Sequence, residues 1–75
     1  MKEHNLTLRR FHLLRKEDIS GVSGTGTVAE GCEFSSGWVT LQFISQYPCM
    51  NVYPNIKEVC AVHGHDGATE VVWDD

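Results

Sequence analysis

No stretch of this chain is apolar for long enough to cross a bilayer as a helix, and its opening, MKEHNL, is polar. Without an apolar centre of the kind a secretory leader carries, the expectation is a cytoplasmic protein with no membrane partner. Cysteine is sparse and odd in number. Cys32, Cys49 and Cys60 cannot close a set of disulfides, which agrees with a reducing compartment. Basic side chains are also few, six Lys and Arg against ten Asp and Glu, for a net charge of −4. Nucleic acid is therefore not an expected partner, because phosphate contacts dominate that affinity and want the opposite sign. There is neither an internal repeat nor a low-complexity segment, so residues 1–75 read as one domain, with 1–6 as a flexible N-terminus.

A domain of 75 residues has a thin stability margin. A chain of this size buries only about 60–65% of its unfolded surface, and small domains are usually helped by disulfides, a metal or association. With disulfides set aside, association into a homo-oligomer is the expected stabiliser. The charges that are present are segregated. Lys2, Arg9, Arg10, Arg15 and Lys16 lie within the first sixteen positions, while Glu70, Asp74 and Asp75 mark the other end. Such a cluster is either a solvated strand face or an edge turned toward an anion or a partner.

The apolar periodicity predicts mostly strands. Between Leu6 and Lys16 it changes phase, from Leu6 and Leu8 to Phe11 and Leu13, so a strand bulged at Arg9-Arg10, or one starting at Arg10, is expected. A helix through Leu6, Arg10, Leu13 and Leu14 fits the same letters. Thr27 to Phe34 alternates as a strand, with Val28, Cys32 and Phe34 on one face and Ala29, Gly31 and Glu33 on the other. Glu30 falls on the apolar side of that alternation, which puts it at a sheet margin or, if buried, beside a partner. Ser35-Ser36-Gly37 is a hairpin turn whose glycine supplies a positive φ, and Trp38 to Ser45 is the return strand. Cys49 to Tyr53 is a short strand between Pro48 and Pro54.

Asn55 with Glu58 three residues on signals a helix start. Ile56, Val59, Cys60 and His63 then share one helical face, and Gly64 stops the helix. Asp66-Gly67 turns the chain into a last strand, Thr69 to Trp73. The fold class is α+β: a small, mostly antiparallel β-sheet or an SH3-like barrel of four or five strands, with one short helix.

The stretch SGVSGTGT, Ser20 to Thr27, is the first candidate for chemistry. Its glycines free the backbone to turn several N–H groups toward one point, and its hydroxyls add donors, which together make an anion nest. It lacks the Gly-Lys-Ser/Thr ending of a P-loop and the dinucleotide fingerprint, and its alternative is a slack connector. The candidate ligand-binding residues are Ser20, Gly21, Ser23, Gly24, Thr25, Gly26 and Thr27, joined by His63 and His65, with Arg10 supplying charge. Cys60, His63 and His65 have the character of metal ligands, but no second pair completes a zinc set, so no metal or cofactor is expected. Catalytic signals are poor. Cys60 sits on the apolar stripe, Ser20 and Ser23 lack a nucleophile elbow, and Glu30 would act with His63 only if the fold joined them. The chain reads as a binder and not an enzyme.

The segment EDISGVSGTGTVAEGCEFSSGWVTLQF, followed after a gap by HGHDGATEVVW, resembles a group of small phage and actinobacterial proteins. These share an SGVSGTG-x-VAEG block and an HGH-x-G-x-T block, and the likeness covers most of the chain from Phe11 onward. No established activity comes with it, and the cysteines are not part of its pattern. The resemblance implies a small phage-type accessory protein acting in the host cytoplasm. Two functions follow as expectations. One is non-enzymatic capture of an anionic, nucleotide-like small molecule, an anti-defence sequestration. The other is an inhibitor or regulatory module acting on a host protein through a sheet edge or an acidic surface.

Overall fold

The computed structural model describes residues 6–16, 25–44, 49–64 and 67–75. Among these residues five strands and one helix follow in the order β1 (Arg9–Arg15), β2 (Gly26–Glu33), β3 (Val39–Phe43), β4 (Met50–Tyr53), α1 (Ile56–His63) and β5 (Thr69–Trp73). All neighbouring strands are antiparallel, in the spatial order β4-β3-β2-β1-β5. The first four strands form a meander, and the last returns beside the first. The sheet ends on β4 and β5, so of the two architectures the sequence allows, the chain forms the open sheet and not the closed barrel.

One face of this sheet carries the core. Phe11 and Leu13 of β1, Ala29 of β2, and Val39 and Leu41 of β3 are buried there under Val59 of α1. Period-two alternation puts these residues on one side of the pleat, and α1 supplies the cover. The helix begins as its sequence requires, with the Asn55 side chain accepting a hydrogen bond from the Glu58 N–H at 3.0 Å. Of its expected apolar stripe, Val59 is buried and Ile56 and His63 are half-buried, but Cys60 is exposed. The helix meets the sheet along Ile56, Val59 and His63, and Cys60 falls to one side of that narrow stripe. Gly64 ends it in a right-handed conformation, its N–H bonded to the Cys60 carbonyl at 2.9 Å, so the left-handed cap is not used.

Three local expectations hold closely. The Ser35-Ser36-Gly37 turn has Gly37 at φ 98°, closed by a Phe34 N–H to Trp38 carbonyl bond of 2.7 Å. Gly67 takes φ 94° in the turn before β5, and β5 spans the predicted residues. The strand over Cys49 to Tyr53 is seen as β4.

Of the two readings of the first strand, the structure follows the one without a bulge at Arg9-Arg10: β1 starts at Arg9, within a residue of the expected start, and the bulge lies elsewhere. Register runs regularly from Arg9 to Leu13 and slips between Leu13 and Leu14: Leu13 faces Ala29 but Leu14 faces Thr27. Val28 is therefore the extra residue, and the bulge sits in β2. It also corrects the facing of that strand. The side packed on the core carries Ala29 and Gly31, with Val28 drawn in by the bulge, while Glu30 and Cys32 point the other way. Small side chains misled the sequence reading. Gly31 belongs to the core because the Phe11 ring takes its space. A Cβ built on Gly31 would meet Phe11 Cζ at 3.0 Å and the Thr40 carbonyl oxygen at 2.3 Å.

Candidate functional site

The face of the sheet away from α1 holds a shallow concavity of about 560 Å3. Arg10, His12, Thr27, Glu30, Thr40 and Gln42 line it, with Met50 toward β4 and Asp74 toward β5. Pleating explains the set. Arg10 and His12 alternate with Phe11 and Leu13, and Thr40 and Gln42 alternate with Val39 and Leu41. The β2 bulge completes it, because one extra residue turns Thr27 to the same side as Glu30, three positions on. Glu30 is thus neither marginal nor buried. It stands exposed at mid-sheet, opposite His12 on β1 and Gln42 on β3.

His12 is anchored on this face by a carboxylate. Its Nδ1 lies 3.0 Å from both carboxylate oxygens of Asp74, and its side chain is only 26% exposed. A carboxylate can only accept, so with the ring neutral Nδ1 carries the proton and Nε2 keeps a lone pair. Asp74 is itself fixed, since its N–H donates to the Arg10 carbonyl at 2.9 Å.

The next residue makes a second clamp. The Arg10 guanidinium meets the Asp75 carboxylate through Nε and a terminal nitrogen at 2.6–3.1 Å, and the Arg10 N–H donates to the same carboxylate at 2.9 Å. These bonds hold the Asp75 carboxyl down to about 2 and raise the Arg10 guanidinium further above its ordinary value. Elsewhere the basic cluster is also engaged internally. Arg9 sits 3.9 Å from Glu33 and stacks 3.8 Å over the Trp73 ring, Arg15 bonds Thr69, and Lys16 reaches Glu70 at 3.1 Å. Most of the N-terminal charge therefore ties β1 to its neighbours.

The sequence-predicted site residues divide into three groups. Arg10 and Thr27 both line the concavity, four residues apart along the β1–β2 register. Thr25 and Gly26 stand just before it along β2, with Gly26 at φ 97°, a conformation that only glycine takes without strain. His63 is on the opposite face: its Nε2 lies 2.6 Å from the Tyr53 hydroxyl and its ring packs edge-on to Phe43. The sheet separates it from Arg10, and it does not meet Glu30. Ser20, Gly21, Ser23, Gly24 and His65 lie outside the described residues. No group of three His, Cys, Asp or Glu side chains suited to a metal occurs among the described residues.

Sequence reasoning missed His12, Asp74 and Asp75 as a unit. The alternation of Arg10 and His12 against Phe11 and Leu13 was a usable signal. What it lacked was the pairing of β5 with β1, which brings residues more than sixty positions apart together.

These features define a small α+β protein with a ligand-sized concavity on the sheet face away from its helix. The chain matches the family model described as Acb5 phage protein over residues 8–75, and it belongs to that phage protein family. No curated protein and no solved structure matches it.

Proposed function

We propose that this phage accessory protein takes a small, nucleotide-like anion on the open face of its sheet, and so removes a host signal in an anti-defence role. The observation that supports this reading is the 560 Å3 concavity, whose lining includes an arginine, a carboxylate-held histidine and two threonines. In its simplest form the ligand is held intact and removed by mass action, without chemistry.

One observation favours a second form, in which the ligand is altered. Within the concavity the carboxylates Glu30 and Asp74 outnumber Arg10, and Asp75 already satisfies that arginine. Such a site is a weak static trap for an anion. A histidine with Nδ1 anchored on a carboxylate and Nε2 left as a base is, however, the arrangement general acid–base catalysis uses. His12 Nε2 would take the proton of an attacking water as its oxygen bonds to phosphorus. The P–O bond to the leaving group breaks, and that oxygen then takes the proton from His12.

One experiment tests both forms. The protein is incubated with a panel of linear and cyclic nucleotides, and bound and free species are weighed by mass spectrometry. An intact nucleotide retained by the wild type and lost in Arg10→Ala supports capture. New product masses, absent with His12→Ala, support turnover. Neither a bound mass nor a product removes both forms and leaves a host protein as the partner.

A further inference from the structure

The two edges of the sheet differ. β4 has four residues and is bracketed in sequence by Pro48 and Pro54, and proline at an edge blocks the addition of another strand. β5 has five residues, no proline and one charge, Glu70. Backbone bonding shows which of its groups turn outward. Lys16 N–H donates to the Ala68 carbonyl and Asp74 N–H to the Arg10 carbonyl, so Ala68, Glu70, Val72 and Asp74 face β1. Thr69, Val71 and Trp73 must then direct their N–H and C=O groups away from the sheet. Thr69 N–H does so visibly, bonding the Gly64 carbonyl at 3.0 Å. Among the described residues nothing pairs with Val71 or Trp73 on that side. Beside them runs an open groove of about 650 Å3 between β5 and the end of α1, lined by Cys60, Ala61, Val62 and Val71. Val62 is 56% exposed.

We infer that this edge is the seam of a homodimer, in which β5 pairs antiparallel with β5 of a second copy about a two-fold axis at Val71. The edge is self-complementary at that residue. Val71 turns both its donor and its acceptor outward, so two copies exchange both bonds, and Trp73 N–H of each reaches the Thr69 carbonyl of the other. A foreign strand would have to supply this register, whereas a second copy brings it already made. The groove then places Val62 of each helix beside the seam, which covers apolar surface that a core this small leaves exposed. The two sheets become one of ten strands, and the open faces with their His12–Asp74 pairs become continuous across the axis. This inference does not rest on the function proposed above, and its test reads mass and amide exchange, not binding.

The experiment is native mass spectrometry and light scattering on the purified chain, with amide exchange read residue by residue. A species of twice 8.4 kDa is expected. Val71→Pro removes an outward N–H that the folded monomer does not use, and it should yield a monomer with an unchanged far-UV spectrum. Val52→Pro, at the outward position of the other edge, should leave the dimer intact. If Val71→Pro fails to fold, exchange in the wild type decides: the Val71 and Trp73 amides should be protected well beyond those of Met50 and Val52. A monomeric wild type, or equal exchange at the two edges, overturns the inference.

Discussion

The two faces of this sheet are built by the same strands and do opposite work. On the α1 side, Phe11, Leu13, Ala29, Val39 and Leu41 are almost wholly removed from water. One residue along each strand, on the open side, stand Arg10, His12, Glu30, Thr40 and Gln42. Alternation at a period of two lets one stretch of backbone serve both, because neighbouring side chains never share an environment. The difference teaches where each property resides. Stability is concentrated on the covered face, and the polar groups suited to chemistry on the open one.

That separation is most sharply tested by a pair of substitutions. His12→Ala removes the base on the open face. Where turnover occurs, it should fall about 10²–10⁴-fold, the usual worth of general acid–base help, while stability to urea falls only by the loss of one half-buried contact, about 0.5–1.5 kcal/mol. Leu41→Ala lies on the other face of the sheet, one strand away from β2. Its side chain is fully buried, and its loss should cost about 2–5 kcal/mol, enough to unfold much of a domain this small. If instead His12→Ala unfolds the chain, the two faces are not separable and the concavity is a structural feature.

Gly31 is the point at which the faces constrain each other. It lies on the covered side, under the Phe11 ring and against the Thr40 carbonyl. Gly31→Ala forces a methyl into that space and should cost about 1–3 kcal/mol by overpacking, read as a lower denaturation midpoint. The same change at Gly37 meets no atoms, and its smaller cost, roughly 1 kcal/mol, is only the strain of a positive φ. Equal losses at the two positions would show that crowding at Gly31 is relieved elsewhere.

Much of this covered face was legible in the sequence, and the open face far less so. The Ser35-Ser36-Gly37 turn, the Asn55 cap and β5 are local signals, each written within a few residues. The β2 bulge was missed because Val28 and Ala29 are both small and apolar, so nothing in the letters shows which of them is extra. Cys60 was placed inside because a helical stripe says nothing about how far the sheet extends beneath it. His12 and Asp74 could not be joined, since that contact exists only once the last strand has returned beside the first. The glycine run, Ser20 to Thr27, lies largely outside the described residues. Of its partners, Arg10 shares the concavity with Thr27, while His63 belongs to the covered face.

On the covered side, the Tyr53–His63 contact joins β4 to the end of α1. Tyr53→Phe deletes one half-buried hydrogen bond and keeps the ring. A loss of about 0.5–1.5 kcal/mol is expected, with ligand behaviour on the open face unchanged. A change in nucleotide binding or turnover in this variant would break the comparison from the other side.

The smallest effect concerns the clamp at the chain's end. Arg10 holds the Asp75 carboxyl down to about 2, first through the side-chain hydrogen bonds and then through the Arg10 N–H. A carboxyl depressed in the folded state adds stability that is fully present above its ordinary value and is lost as the pH falls toward its folded one. Melting temperatures of the wild type and Asp75→Asn should therefore differ slightly at about pH 5 and converge as the pH approaches 2. Both side chains are solvent-facing, so the gap is narrow and salt should narrow it further. What makes it informative is its neighbour. Asp74 reaches His12 from a backbone that Arg10 holds through its carbonyl, so releasing Asp75 should also loosen the His12 contact. If Asp75→Asn lowers turnover more than it lowers stability, the clamp positions the dyad; if the two fall together, it only fastens the last strand.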